Sequence, residues 1–254
     1  MGKIITIANQ KGGIGKTTTA TAIAAELQRR GSKVLLIDTD PQCSASDTYR
    51  AEIDGVATMY DILCENEPVR EAVQHTEVGS IIPCDPLLSE ADKKLTGLGD
   101  EKLLKKAVAG ISQDYDYIVV DTPPGAGIML YNALAAADYL IIPITADRYG
   151  LQGLSQLKET IEKIKEHSNQ TLIIAGMLLI KHNERTNLSK TLSETLPDIA
   201  KAMETVVFKT FIRDSISTKE AQTNRTSLLI HAPGSTTAQD YSALLDELQQ
   251  EGVI

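Results

Sequence analysis

A chain of 254 residues with 42% apolar content fits one α/β domain, and with 4% aromatics and no Trp its core must be built from Ile, Leu, Val and Ala. The formal net charge of −9 excludes a wholesale electropositive surface, so contact with nucleic acid or anionic lipid has to come from a local patch. The first apolar run reads as a strand rather than a signal peptide and there is no run of about 18 apolar residues, and Cys43, Cys64 and Cys84 form no C-x-x-C pair, which points to a cytoplasmic chain with reduced thiols packed as small hydrophobes.

Lys3 to Ala8 reads as a short buried strand and Ala20 to Leu27 as a helix. Between them Gln10-Lys11-Gly12-Gly13-Ile14-Gly15-Lys16-Thr17 is a glycine-rich turn running into a helix N-terminus, which presents successive backbone N–H groups to an anion. Lys16 is placed to reach the β/γ-phosphates of a nucleoside triphosphate, and the Thr17 hydroxyl to ligate Mg²⁺. The strict phosphate-loop pattern has a glycine five residues before Gly15; here that position is Gln10, with a second lysine, Lys11, beside it. Strand candidates are 3–8, 33–38, 79–83, 116–121, 139–144 and 171–180, and helix candidates are 16–30, 99–112, 127–136, 150–167, 186–203 and 236–250. Their alternation predicts a doubly wound, mostly parallel α/β sheet with helices on both faces, in one domain spanning 1–254.

Val34-Leu35-Leu36-Ile37 and Ile118-Val119-Val120 are nearly unbroken apolar runs, as strands buried on both faces require. Each leads into aspartate. Asp38, Asp40 and Asp121 therefore fall at the carboxyl edge of the sheet, beside the glycine loop, where open α/β sheets bind ligands. Phosphoryl transfer is mostly positioning and charge neutralisation. Asp121, before Thr122-Pro123-Pro124, matches the position that holds Mg²⁺ through water. Asp38 and Asp40 point the same way if the strand persists. Pro41 also forces an extended or turn conformation on Asp40, so a turn-capping role fits as well.

Lys11-Gly12-Gly13-Ile14-Gly15-Lys16-Thr17-Thr18 resembles the deviant phosphate loop of the ParA/MinD family of dimerising ATPases, whose pattern is KGGxGKTT. Asp38-Thr39-Asp40-Pro41-Gln42 is similar to that family's DxDPQ segment, and Asp121-Thr122-Pro123-Pro124 to its DxPP segment. The helix from Asn132 to Asp138 also matches, and Lys219 through Leu244 matches more loosely. The resemblance implies a P-loop NTPase fold, ATP and Mg²⁺ as cofactors, and an ATPase that depends on dimerisation. It implies that Lys11 acts in trans on the partner subunit's nucleotide, that Lys16 and Asp121 act in cis, and that Asp40 positions the attacking water. It places Thr17, Asp38 and Asp121 around the metal. It assigns phosphate binding to Gly12, Gly13, Ile14, Gly15, Lys16, Thr17 and Thr18, and adenine contacts to Asn183, Ile212 and Arg213. Asn183 suits a turn equally well. The family continues DPQ with a small residue and Asn, whereas this chain has Cys43-Ser44.

By this resemblance the chain is a ParA-type partition ATPase: a homodimer around ATP that binds nonspecific DNA and associates with the nucleoid. It would be stimulated by a ParB-like centromere-binding partner and would segregate a plasmid, chromosome or mobile element. The DNA contact falls to the locally basic stretch holding Lys181, Arg185, Lys190, Lys201, Lys209, Arg213, Lys219 and Arg225, which also reads as a solvated mixed-charge face. The alternative is a MinD-like or other positioning ATPase that does not use DNA. Against a membrane matrix, residues 236–254 contain Asp240, Asp246, Glu247 and Glu251 but no Lys or Arg. An iron–sulfur carrier on the same fold would need cysteines after the Asp121 strand, and none of the three falls there.

Overall fold

The computed structural model describes residues 2–145, 148–182 and 187–254. Its strands are β1 (Lys3–Ile7), β2 (Val34–Asp38), β3 (Gln74–His75), β4 (Ser80–Ile82), β5 (Tyr117–Asp121), β6 (Tyr139–Thr145), β7 (Ile173–His182) and β8 (Ile212–Arg213). The α-helices are α1 (Lys16–Arg29), α2 (Ser44–Thr48), α3 (Met59–Cys64), α4 (Ala91–Lys94), α5 (Leu103–Ala109) and α6 (Ile128–Ala136). They continue with α7 (Arg148–His167), α8 (Asn187–Ala202), α9 (Ile216–Thr223), α10 (Leu228–His231) and α11 (Thr236–Gln250). Among the described residues, no helix is long and apolar enough to cross a membrane.

The strands form one sheet in the order β3-β4-β2-β5-β1-β6-β7-β8. Every neighbouring pair is parallel except β3 with β4. A parallel sheet needs cover on both faces, and side chains alternate between the two. Ile5, Ile7, Leu36, Val119, Ile141 and Leu178 meet α1, α10 and α11 on one face. Ile4, Leu35, Ile37, Ile118 and Val120 meet α3 to α6 on the other, which Leu140, Ile142, Ile144, Met177 and Leu179 extend beneath α7 and α8. Ala20, Ala22 and Ala24 are fully buried, so α1 lies close between the sheet and α11.

The expected α/β architecture is present, and the six strand candidates match β1, β2, β4, β5, β6 and β7. Two boundaries differ for physical reasons. The 99–112 helix is shorter, a tight turn at Asp100–Lys102 leading into α5, because the buried Asn132 side chain accepts from Leu104 N at 2.9 Å and donates to Asp100 O at 2.9 Å. β7 runs two residues past its expected end, where Ile180 pairs with both Thr145 and Ile212. The chain after α8 joins β7 through Phe208, whose N–H donates to Met177 O at 3.0 Å, and the Phe208 ring fills the space over the buried Gly176. A Cβ there would overlap the ring. Gly176→Ala should therefore cost about 1–3 kcal/mol, read as a lower denaturation midpoint; an unchanged midpoint would show that Phe208 moves aside freely.

Candidate functional site

β1 ends at Ile7 and α1 begins at Lys16, and the loop between them is pinned at both ends. The Asn9 side chain donates to Pro143 O at 2.8 Å and accepts from Lys11 N at 3.1 Å. Gln10, in the place of the usual glycine, turns its amide outward to Thr160 Oγ1 at 3.1 Å, while its carbonyl accepts from Gly125 N at 2.9 Å. Gly13 and Gly15 have φ of +71° and +77°, left-handed values that glycine adopts without cost. A side chain at Gly15 would also press on Ile180 Cδ1 at 3.0 Å. Gly15 caps α1 without any side-chain hydrogen bond, so the first helical N–H groups are left for a ligand. Ile14 faces inward at 1% exposure and anchors the loop in the core, leaving only its backbone to the site.

Parallel pairing decides where the carboxylates stand. Asp121 is the register partner of both Ile7 and Asp38. Thr39 locks this edge by donating to Asp121 O through its N–H at 3.0 Å and its hydroxyl at 2.6 Å. Asp38 is fully buried and accepts from Asp40 N at 3.0 Å and from Ser46 N and Oγ at 2.8 and 2.7 Å. Burial pushes its carboxyl up to about 6, against the pull of the Ser46 bonds. Asp40 accepts from Gln42 N at 3.0 Å, the turn that Pro41 imposes.

Asp121 is the unusual member. It is fully buried, and neither carboxylate oxygen has a hydrogen-bond partner of normal geometry among the described residues. Burial, then the charges of Asp38 and Asp40, push its carboxyl well above the usual range, while Thr17 and Lys16 pull it down. Lys16 is itself 6% exposed; burial lowers its pKa and the charges of Asp121 and Asp40 raise it. Its Nζ donates to Lys11 O at 3.1 Å. Three carboxylates thus face one buried ammonium beside a loop built for an anion. A divalent cation fits this imbalance, with the Thr17 hydroxyl and the orphaned Asp121 oxygens as the residues to hold it. Among the described residues no three acidic, His or Cys side chains are grouped to bind a metal unaided.

In front of this edge lies a cleft of about 700 Å³ that brings together Gly12, Gly13, Gly15, Lys16, Thr17, Thr18 and Asp40 with Ile212 and Arg213. Arg213 comes to the cleft already paired, to Asp240 at 2.5 Å. Asn183 lies outside the described residues. Lys11 points elsewhere: its Nζ donates to Thr145 Oγ1, at the end of β6, at 3.1 Å. The cations of the basic stretch from Lys181 to Arg225 that these contacts place differ in their surroundings. Lys181, Arg213 and Lys219 line the cleft, and Arg225 pairs with Asp47 at 2.7 Å. Arg185 lies outside the described residues, and so does the side chain of Lys190.

Sequence reasoning missed the contacts that brace the loop from the far end of the chain. Tyr241 is fully buried with its hydroxyl 3.1 Å from Thr19 Oγ1, and Gln222 Nε2 donates to Thr18 Oγ1 at 3.1 Å. The one sequence signal was a lone tyrosine on the buried stripe of an otherwise aliphatic helix, α11.

The AAA domain family model matches residues 2–174 of this chain. The sporulation initiation inhibitor protein Soj of Bacillus subtilis is 37% identical over 256 residues, spanning 99% of this chain and 100% of Soj. A protein of Borrelia burgdorferi assigned to plasmid partition, solved with AMPPNP bound, is 27% identical with a TM-score of 0.83, over 99% of this chain and 100% of that one. Cobyrinic acid a,c-diamide synthase of Mycobacterium smegmatis, solved with an ATP analogue and magnesium, is 28% identical with a TM-score of 0.78, over 93% and 98% of the two chains.

The raised carboxyl values carry a sign. Because Asp38 is less acidic in the fold than in the unfolded chain, the folded state binds more protons between about pH 4 and 6. Stability from this edge is therefore gained as the pH falls through that window, and the full penalty of ionisation remains above it. Asp121→Asn removes one buried negative charge and should stabilise the ligand-free protein at pH 7.5 by about 1 kcal/mol or more, read as a higher denaturation midpoint. The gain should shrink at pH 5.5. A lower midpoint at pH 7.5 would show that the Asp121 charge is not a burden on the fold.

Proposed function

The chain belongs to the ParA/MinD family of P-loop ATPases, and on that premise we propose that it is a partition ATPase whose ATP-bound dimer binds DNA without sequence preference. The observation that carries this reading is the divergence of two lysines in one loop. Lys16 is buried among the carboxylates of its own cleft, whereas Lys11 is held away from that cleft on Thr145. A cation turned from its own nucleotide suits delivery to a partner's, in the manner of an arginine finger supplied in trans.

In this reading residues 1–254 act as one ATPase domain. The glycine-loop N–H groups and Lys16 hold the triphosphate, Thr17 and Asp121 hold Mg²⁺, and Asp38 orders its hydration shell. Bound there, the metal would neutralise the charge that develops on the phosphates. Asp40 lines the cleft and orients the attacking water. Ile212 and Arg213, which line the cleft, contact the base in this reading, and Asn183 is the third candidate for that contact. The Soj and plasmid-partition likenesses support partition, with a ParB-like partner stimulating hydrolysis and the nucleoid as matrix. The competing reading is a positioning ATPase on another matrix. A membrane is disfavoured because α11 carries Asp240, Asp246 and Glu247 and no cation.

Lys16→Ala should abolish ATP binding, because it deletes the principal phosphate cation. Lys11→Ala should bind ATP with modest loss, remain monomeric and hydrolyse about 10³-fold more slowly. Titration with a fluorescent ATP analogue and size-exclusion chromatography separate the two; equal loss of affinity would remove the trans role. For DNA, about six phosphate contacts per dimer predict a roughly 10³-fold fall in affinity between about 50 and 200 mM salt. Fluorescence anisotropy with two unrelated duplexes should show equal binding to both with ATP and little with ADP. Failure to bind at low salt with ATP would move the protein to the other positioning class.

A further inference from the structure

At the tip of β7 the ladder with β8 breaks register. Ile180 pairs with Ile212 and His182 with Arg213, so Lys181 is an extra residue with no opposite number. Its φ of +52° lies in the left-handed region, which a non-glycine residue occupies only where its surroundings hold it there. A β-bulge of this kind re-aims a side chain, and such bulges concentrate beside active sites. Here the re-aimed side chain crosses to the glycine loop: Lys181 Nζ donates to Gly13 O at 2.9 Å. The preceding residue, Ile180, occupies the space that a side chain at Gly15 would need. One strand tip therefore bonds to Gly13 and closes off the side of Gly15.

We propose that Lys181 is a positioning residue for nucleotide, locking the Gly13–Ile14 peptide so that its N–H stays turned toward the phosphates. The peptide unit is planar and trans, so the Ile14 N–H points opposite to the carbonyl that Lys181 holds. Gly13 has no Cβ to hinder rotation on its side of this peptide, so the peptide is able to flip. A flip would exchange a donor for a carbonyl dipole in a site that binds anions. An ammonium–carbonyl bond opposes that exchange without touching the ligand. Lys181 thereby leaves the DNA-facing set suggested by its sequence neighbourhood and joins the nucleotide site. The assignment rests on the reading of the cleft as an ATP site.

The test is equilibrium binding of fluorescent ADP and of a nonhydrolysable ATP analogue, each with Mg²⁺, to the full chain and to Lys181→Met and Lys181→Arg. Losing one charge-assisted hydrogen bond should weaken Lys181→Met by about fivefold for both nucleotides. Lys181→Arg, which can donate to the same carbonyl, should stay near wild type. In ligand-free Lys181→Met, the Ile14 amide should exchange hydrogen faster, a readout that does not depend on nucleotide. Unchanged affinity and exchange in Lys181→Met, or equal weakening in Lys181→Arg, would overturn the lock. Weakening confined to the ATP analogue would overturn it in favour of direct contact with the terminal phosphate. A wild-type chain that binds neither nucleotide, with exchange still accelerated in Lys181→Met, would remove the ATP reading and the nucleotide role while leaving the contact itself.

Discussion

Burying like charges together at the carboxyl edge of the sheet is the constraint on which the site depends. Asp38 and Asp121 are register partners on adjacent parallel strands, both fully buried, with Asp40 two residues beyond. Desolvation and mutual repulsion make this arrangement costly, and the buried Lys16 ammonium offsets only part of it. Local bonds satisfy Asp38 through Ser46 and the Asp40 backbone, so its geometry is settled by α2 before any ligand arrives. Asp121 has no comparable set of bonds, and only Thr17 and Lys16 favour its charge. An edge left short of positive charge is poised for a cation that arrives with its own anion, and Mg²⁺ with a polyphosphate has that composition.

The same edge needs a loop that holds its shape while it is under-satisfied, and the hydrogen bonds around it come from several parts of the chain. Asn9 and Gln10 tie the front of the loop to β6 and α7. Gln222 and Tyr241 tie the first turn of α1 to α9 and α11. Lower down, the buried Glu26 binds Arg29, Arg30 and Ser242, and Arg30 reaches Asp246. The ion pairs exposed on one side contribute little alone, but the buried Thr19–Tyr241 bond and the part-buried Glu26–Ser242 bond join α1 to α11 along its length. A change in the phosphate loop is thus mechanically linked to the C-terminal helices, which carry Arg213's partner Asp240.

Local sequence determined the pieces whose physics is local. Unbroken apolar runs at Val34–Ile37 and Ile118–Val120 require strands buried on both faces, and the pattern Lys11-Gly12-Gly13-Ile14-Gly15-Lys16-Thr17 requires a turn into a helix N-terminus. Those two facts place Asp38, Asp40 and Asp121 near the phosphate loop without coordinates. Short elements such as β3 and β8 were not legible, because two residues of strand carry no periodicity and exist only through their neighbours.

Tertiary structure alone decided everything that depends on two distant segments meeting. That Asp121 is orphaned while Asp38 is satisfied follows from which strand stands beside which, and no feature of either residue's sequence surroundings tells them apart. Charge counting over 181–225 suggests a basic face, yet Arg213 and Arg225 are matched by Asp240 and Asp47 from remote parts of the chain. Lys181 is the clearest case. In sequence it is one lysine at a strand end; the bulge against β8 and the left-handed φ turn it onto Gly13, a residue 168 positions away. Periodicity and composition report what each segment buries, whereas the partners of polar groups are chosen only when the sheet order has been set.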